Sequence, residues 1–216
     1  MDTLIHDLRD ITIRSISVSE MNNNVYLLTA KASGAQLLID AADDLPAIQA
    51  ILADAAADTA ATPKLELIAT THQHWDHVRA LPALVAATGA PTVAGKDDAE
   101  ALPVTVGRSL EHRDTCAVDG FELTAVHLRG HTPGSIAFVY LDPEGPAHIF
   151  SGDSLFPGGV GNTQKDPERF TSLINDVTQR LFEAYPDDTV VHPGHGSPTT
   201  LGAERPHLEE WRARGW

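Results

Sequence analysis

A single cysteine, Cys116, in 216 residues leaves no partner for an internal disulfide, which fits a reducing compartment and a chain held together by its core. Basic residues are also scarce, 15 against 30 acidic, for a formal charge of −15. Binding to a polynucleotide backbone depends on Lys and Arg neutralising phosphates, so a nucleic-acid partner is excluded and the acidity is read as solubility. No apolar run reaches the length of a membrane span, and Met1 to Asp10 has neither a basic nor an apolar leader region. Cytoplasmic localisation is the expectation. Tandem repeats, low-complexity tracts and linkers are absent too, and 42% hydrophobic content is ample for a core, so residues 1–216 are read as one domain.

Short strands are expected at Val25 to Leu28 and Gln36 to Ile39, joined by a turn at Ala32-Ser33-Gly34. Leu45, Ile48, Ile51 and Leu52 then recur at helical spacing, and a strand follows Pro63 through Leu65, Leu67 and Ile68. Pro82 suits the first turn of a helix ending at Gly89, which leaves Asp76 too far upstream to be its N-cap. Further strands are expected at Thr92 to Ala94, Phe121 to Leu128, Ile136 to Tyr140, His148 to Phe150 and Thr189 to Val191. One long helix is expected from Pro167 to Tyr185, with Phe170, Leu173, Ile174, Val177 and Leu181 on one face.

Thr71-His-Gln-His-Trp-Asp-His77 crowds three imidazoles and a carboxylate directly after an apolar run. Outside a metal site these groups would compete for the same small volume at high cost. In extended chain, residues two apart share a side and lie roughly 6.6 Å apart, so His72 and His74 can converge on one ion while Asp76 and His77 face elsewhere. A complete site needs distant ligands. Three apolar runs end in glycine-flanked candidates: Gly-His131-Thr-Pro-Gly, Ser-Gly-Asp153-Ser and Pro-Gly-His195-Gly. Taken singly, Asp153 could cap a turn and the two histidines could decorate glycine loops; the ordered set points to one composite site. His6, His112, His127, His148, His192 and His207 are assigned to surface or core, and Cys116 to a small buried hydrophobe.

This pattern resembles the metallo-β-lactamase superfamily, in its glyoxalase II-like branch. The H-x-H-x-D-H signature is met by His72, His74, Asp76 and His77, and the later ligands by His131, Asp153 and His195. The resemblance implies a four-layer αββα sandwich of the α/β (α+β) class, with the metals at one edge of two sheets. It implies His72, His74 and His131 at one ion, Asp76, His77 and His195 at the second, and Asp153 bridging both. Two divalent ions, zinc before iron or manganese, would then generate a metal-bound hydroxide that attacks a small-molecule thioester, ester or lactone. Asp153 and Asp76 are the catalytic candidates, Asp76 by orienting the nucleophile or carrying a proton.

A thiolate or alkoxide leaving group needs no proton donor, which favours esters over amides. Zinc β-lactamases carry a cysteine in their second site and lack a histidine at the position of His77, so this chain departs from them. It also departs from glyoxalase II. Only 21 residues follow His195, too few for the helical glutathione-binding domain, and Asn162 stands where the family usually has a basic residue. Lys165 and Arg169 are the candidate replacements, with a solvated helix start as the plainer reading of both. Trp75 is a candidate wall of the substrate pocket, with plain packing the preferred reading, and Tyr26 is a candidate to approach substrate from the first hairpin. The competing function implied by the same motifs is a persulfide dioxygenase-like oxidoreductase, with one iron held by His72, His131 and Asp153. Oligomeric state is left open.

Overall fold

The computed structural model describes residues 3–215. Its first sheet has seven strands in sequence order: β1 (Leu4–Asp7), β2 (Ile11–Val18), β3 (Asn23–Ala30), β4 (Ala35–Ile39), β5 (Lys64–Thr70), β6 (Thr92–Gly95) and β7 (Arg108–Leu110). The pairs from β1 to β4 are antiparallel, and those from β4 to β7 are parallel. The second sheet is built from β8 (Thr115–Val118), β9 (Phe121–His127), β10 (Ile136–Tyr140) and β11 (His148–Gly152). A two-stranded ribbon, β12 (Leu155–Phe156) and β13 (Gly159–Val160), separates these from β14 (Val190–Pro193) and β15 (Thr199–Thr200). The second sheet then runs in the order β15-β14-β11-β10-β9-β8.

Two-residue periodicity explains the layering. In β3, Tyr26, Leu28 and Ala30 point into the core between the sheets, while Val25 and Leu27 point to the opposite face. In β10, Ile136, Phe138 and Tyr140 enter that same central core, and Ala137 and Val139 face outward. The two outward faces are covered by helices. Ile48 and Ile51 of α1 (Leu45–Asp54) and Leu81 and Leu84 of α2 (Leu81–Thr88) cover the first sheet. Phe170, Leu173, Ile174 and Val177 of α3 (Pro167–Val177) cover the second, joined by Trp211. Three apolar clusters therefore fill the three interfaces of four layers, the expected αββα sandwich.

Local chemistry sets the helix ends. Asp44 and Asp166 cap α1 and α3 by accepting from Ala47 N, and from Glu168 N and Arg169 N. Helix α2 starts with Pro82 in its first turn and stops at Gly89, whose φ of 67° is left-handed; Asp76 plays no part in its cap.

The long helix expected to reach Tyr185 is shorter. Its α-helical ladder ends at Val177 and widens into a π turn over Thr178–Phe182, where Glu183 N donates to Thr178 O at 2.9 Å. Strands β1, β2, β7 and β8 and the two short C-terminal helices, α4 (Leu201–Glu204) and α5 (Leu208–Arg214), were not anticipated. No helix among the described residues is long and apolar enough to cross a membrane.

Candidate metal centre

Four loops leave one edge of the sandwich and carry all seven expected ligands. His72 follows β5, His131 follows β9, Asp153 follows β11 and His195 follows β14. The extended chain that aligns His72 with His74 ends there, because Trp75–His77 close a tight 3-10 turn. That turn swings Asp76 and His77 back toward the other loops. One nitrogen each of His72, His74 and His131 fall within 4.8 Å of one another, as do the donor atoms of Asp76, His77 and His195, and those of His72, His77 and Asp153. Asp153 links the groups: its Oδ2 lies 3.5 Å from His131 Nε2 and 3.4 Å from His195 Nε2, and its Oδ1 lies 3.4 Å from His77 Nε2.

Hydrogen bonds behind the rings fix which nitrogen faces inward. His131 Nδ1 donates to Asn162 O at 2.8 Å, His195 Nδ1 to Met21 O at 2.9 Å and His77 Nδ1 to Asp40 Oδ2 at 2.9 Å. The Thr71 hydroxyl donates to Asp40 Oδ2 at 2.7 Å and so accepts from His72 Nδ1 at 3.0 Å. Each Nε2 is thereby left with a lone pair aimed at the centre. His72 Nε2, His131 Nε2 and Asp153 Oδ1 are buried with no hydrogen-bond partner among the described residues. Such orphans are costly unless a cation takes their electrons.

His77 Nε2 and His195 Nε2 stand 3.1 Å apart, with Asp76 Oδ2 at 3.6 Å and 3.3 Å from them. Donor atoms on a tetrahedral zinc ion are about 3.3 Å apart, given bonds of about 2.0–2.1 Å. The residues fit a divalent ion in each group.

The electrostatics follow from burial and neighbours. Burial drives the His72 imidazole well below its ordinary 6.5 and the His131 imidazole down to about 4, and lowers His74 as well. Burial also opposes charge on His77, but the neighbouring carboxylates of Asp153 and Asp40, the latter accepting from Nδ1, overcome it and raise this ring to about 10. Burial works against ionised Asp153 too, yet the His195 and His77 rings hold its carboxyl well below the usual range.

Three supporting residues escaped the sequence reading. Asp40, at φ 57° after β4, accepts from Thr71 N, the Thr71 hydroxyl and His77 Nδ1. Asp98, fully buried, accepts from Gln73 N, Gly134 N and the Thr132 hydroxyl, tying the His72 loop to the His131 loop. Asn23 Nδ2 donates to Asp76 Oδ2 at 2.9 Å. Their only sequence signal was position, at or near the ends of strands. Gly194 is required by close approach: a Cβ there would lie 2.3 Å from Asp153 Oδ1 and 2.8 Å from His77 Cε1.

The substrate-side expectations divide. Tyr26 is a correction: it is 5% exposed, packs against Phe150 and His192, and donates its hydroxyl to Pro193 O at 2.8 Å. It therefore props the His195 loop from below rather than approaching substrate. Trp75 is 59% exposed, with the Arg79 guanidinium 4.0 Å from its ring centroid, so simple core packing does not describe it. Asn162 and Lys165 line a cleft of about 830 Å³ with Gly161 and Thr163. A second cleft of about 570 Å³ is lined by Gln73, His74, Arg129 and His131. The second cleft includes the expected ligands His74 and His131, and the first is joined to them through Asn162, whose carbonyl accepts from His131 Nδ1.

A hydroxyacylglutathione hydrolase from Jannaschia sp. is 37% identical over 174 residues, covering 81% of this chain and 62% of that protein. Another from Fuscovulum blasticum is 31% identical over 175 residues with the same coverages, 81% and 62%. The chain thus spans less than two thirds of the length of these curated relatives. Among solved structures, a protein crystallised in a di-iron-bound form is 32% identical with a TM-score of 0.70, covering 88% of this chain and 96% of that one. ETHE1 from Myxococcus xanthus gives a TM-score of 0.77 at 27% identity, covering 93% and 84%. The superfamily profile itself matches residues 18–195, from the start of the first hairpin to the last ligand, and the chain belongs to the metallo-beta-lactamase superfamily.

Proposed function

We propose that this chain is a hydrolase with two divalent ions in one centre, zinc in the first instance, cleaving a thioester, ester or lactone of a small metabolite. The observation that carries the reading is Asp153, whose Oδ2 lies 3.5 Å from His131 Nε2 and 3.4 Å from His195 Nε2 and whose Oδ1 lies 3.4 Å from His77 Nε2, among nitrogens left with free lone pairs. His72, His74 and His131 would hold one ion, and Asp76, His77 and His195 the other, with Asp153 between them. When bound, such ions lower the pKa of a shared water toward about 7 and polarise a carbonyl.

The protein supplies orientation. Asp40 and Asp98 lock the loops that carry His72, His77 and His131, so that the donors need little rearrangement when substrate arrives. Asp76, steadied by Asn23, sets a carboxylate oxygen beside His77 and His195, where it would orient the nucleophile or hold a proton. The cleft lined by His74 and His131 and the cleft lined by Asn162 and Lys165 offer separate places for the acyl and leaving groups, with Trp75 exposed next to the ligands and Lys165 bringing positive charge. Thioesters lead the substrate classes because a departing thiolate needs no proton donor and because the relatives named above are hydroxyacylglutathione hydrolases. Neutral Asn162 argues for a thiol other than glutathione. All three apolar clusters support one catalytic unit over residues 1–216.

Metal quantification of the purified protein, followed by a panel of acyl thioesters, lactones, a phosphodiester and a persulfide, tests the proposal. Two ions at the main centre with thioester or lactone turnover are expected. A single iron with oxygen consumption on the persulfide would overturn it in favour of the oxidoreductase reading.

A further inference from the structure

Three histidines outside the main centre also meet. His6 lies on β1, the edge strand of the first sheet, while His148 and His192 lie on the neighbouring strands β11 and β14 of the second. One ring nitrogen of each lies within 4.8 Å of one on each of the others. We propose that His6, His148 and His192 form a further cation site, suited to a borderline divalent ion such as zinc, that clamps the edge strand β1 to the second sheet.

The rings are spaced as ligands are. Centroid separations are 4.5 Å for His6–His148, 5.2 Å for His6–His192 and 5.3 Å for His148–His192. The His72, His74 and His131 trio of the main centre gives 4.8, 4.9 and 4.5 Å. The two triads are close to one another in dimension, although only one was legible as a motif.

Hydrogen bonding leaves the cluster unsatisfied. His148 Nδ1 and His192 Nε2 meet at 3.0 Å, so one donates and the other accepts. His148 Nε2 is buried with no partner among the described residues. If Nδ1 is the donor, Nε2 is an orphaned lone pair; if Nδ1 accepts, Nε2–H is an orphaned donor. No tautomer of a neutral pair satisfies His148, and burial keeps all three rings from charging, pushing His148 down to about 4 and His192 well below 6.5. Of the acidic groups, Asp142 alone acts on the cluster with notable effect, raising His148 slightly against burial and the nearby His6.

Three neutral imidazoles with spare lone pairs are a donor set that zinc, cobalt or nickel ions take readily. Phe150 stacks on His192 at 4.9 Å and walls the cluster on its inner side, whereas His6 is only partly buried and gives the ion a path from solvent.

The test is zinc counting on the full chain. Wild-type protein should hold one more ion than His6→Ala and His6→Gln, both variants keeping the ions and turnover of the main centre. In an Asp153→Ala background that weakens the main centre, the extra ion should persist and disappear when His6→Ala is added. Anomalous diffraction at the zinc edge gives a measurement free of any variant. A peak among His6, His148 and His192 is expected, and main-centre peaks without it would overturn the proposal, as would equal zinc counts in wild-type and folded His6 variants.

Discussion

Asp40→Asn isolates the role of a buried carboxylate that touches no ion. Asp40 takes three hydrogen bonds, from Thr71 N at 2.8 Å, the Thr71 hydroxyl at 2.7 Å and His77 Nδ1 at 2.9 Å, and is 2% exposed. Asparagine keeps the shape but replaces one acceptor oxygen with a donor. If its amide nitrogen takes the place of Oδ1, it opposes Thr71 N–H; if it takes the place of Oδ2, it opposes both His77 Nδ1–H and the Thr71 hydroxyl hydrogen. In the second arrangement His77 can escape only by moving its hydrogen to Nε2, which removes the lone pair needed at the centre.

Either arrangement leaves at least one buried donor unpaired, at a cost of about 1–3 kcal/mol in stability for each. Loss of the partner behind a metal-binding histidine costs a further 10–100-fold, roughly, in metal affinity. Urea unfolding of the metal-free protein reads the first effect, and zinc competition against a chromophoric chelator reads the second. Stability within about 0.5 kcal/mol of wild type, together with unchanged zinc affinity, would refute the claim that Asp40 sets the His77 tautomer.

Gly194→Ala should keep the fold yet lose metal and turnover by an order of magnitude or more, because the new methyl group would collide with Asp153 Oδ1 and His77 Cε1; metal content and activity at equal circular dichroism check this. Metal-free protein should lose stability on acidification. His148 has its folded pKa pushed down by burial to about 4 from 6.5, so its contribution is complete above 6.5 and disappears as the pH falls from 6.5 to 4, where the unfolded chain binds a proton and the folded one does not. His148→Phe should flatten that part of the stability profile, measured as urea midpoints at pH values on either side. Lys165→Ala should raise KM for carboxylate-bearing thioesters several-fold more than for neutral ones, and equal shifts would remove Lys165 from substrate recognition.

Strands buried on both faces were readable because their apolar runs are continuous, as in the Ile136–Tyr140 segment. Strand β2 was harder. Ile11 and Ile13 face the core, but Thr12 and Arg14, which alternate with them, bond to Asp58, 2.8 Å from the hydroxyl and 2.6 Å from the guanidinium, so a polar pair that reads as loop is buried in a sheet. The α3 boundary failed for a different reason: the apolar face continues through Leu181 and Phe182, and hydrophobic spacing does not distinguish an α-helical turn from a wider one. At the site, the candidate donors were legible because their residue types and order are chemically demanding, and the fold brings their side chains together. Tyr26 was misread because alternation along β3 turns its ring into the core beside Phe150 and His192.

By itself the sequence determined the donor set: which side chains can bind a divalent ion, in what order, and each placed after an apolar run long enough to be a strand. Tertiary structure decided how those donors are used. The inward nitrogen of each ring depends on an acceptor far away in the chain, Asp40 for His77, Asn162 O for His131 and Met21 O for His195. The meeting of His6 with His148 and His192 depends on how one sheet's edge lies against the other. Residue chemistry is local and survives in the string of letters, whereas proton position and ring convergence are set by partners that only folding brings within hydrogen-bond distance.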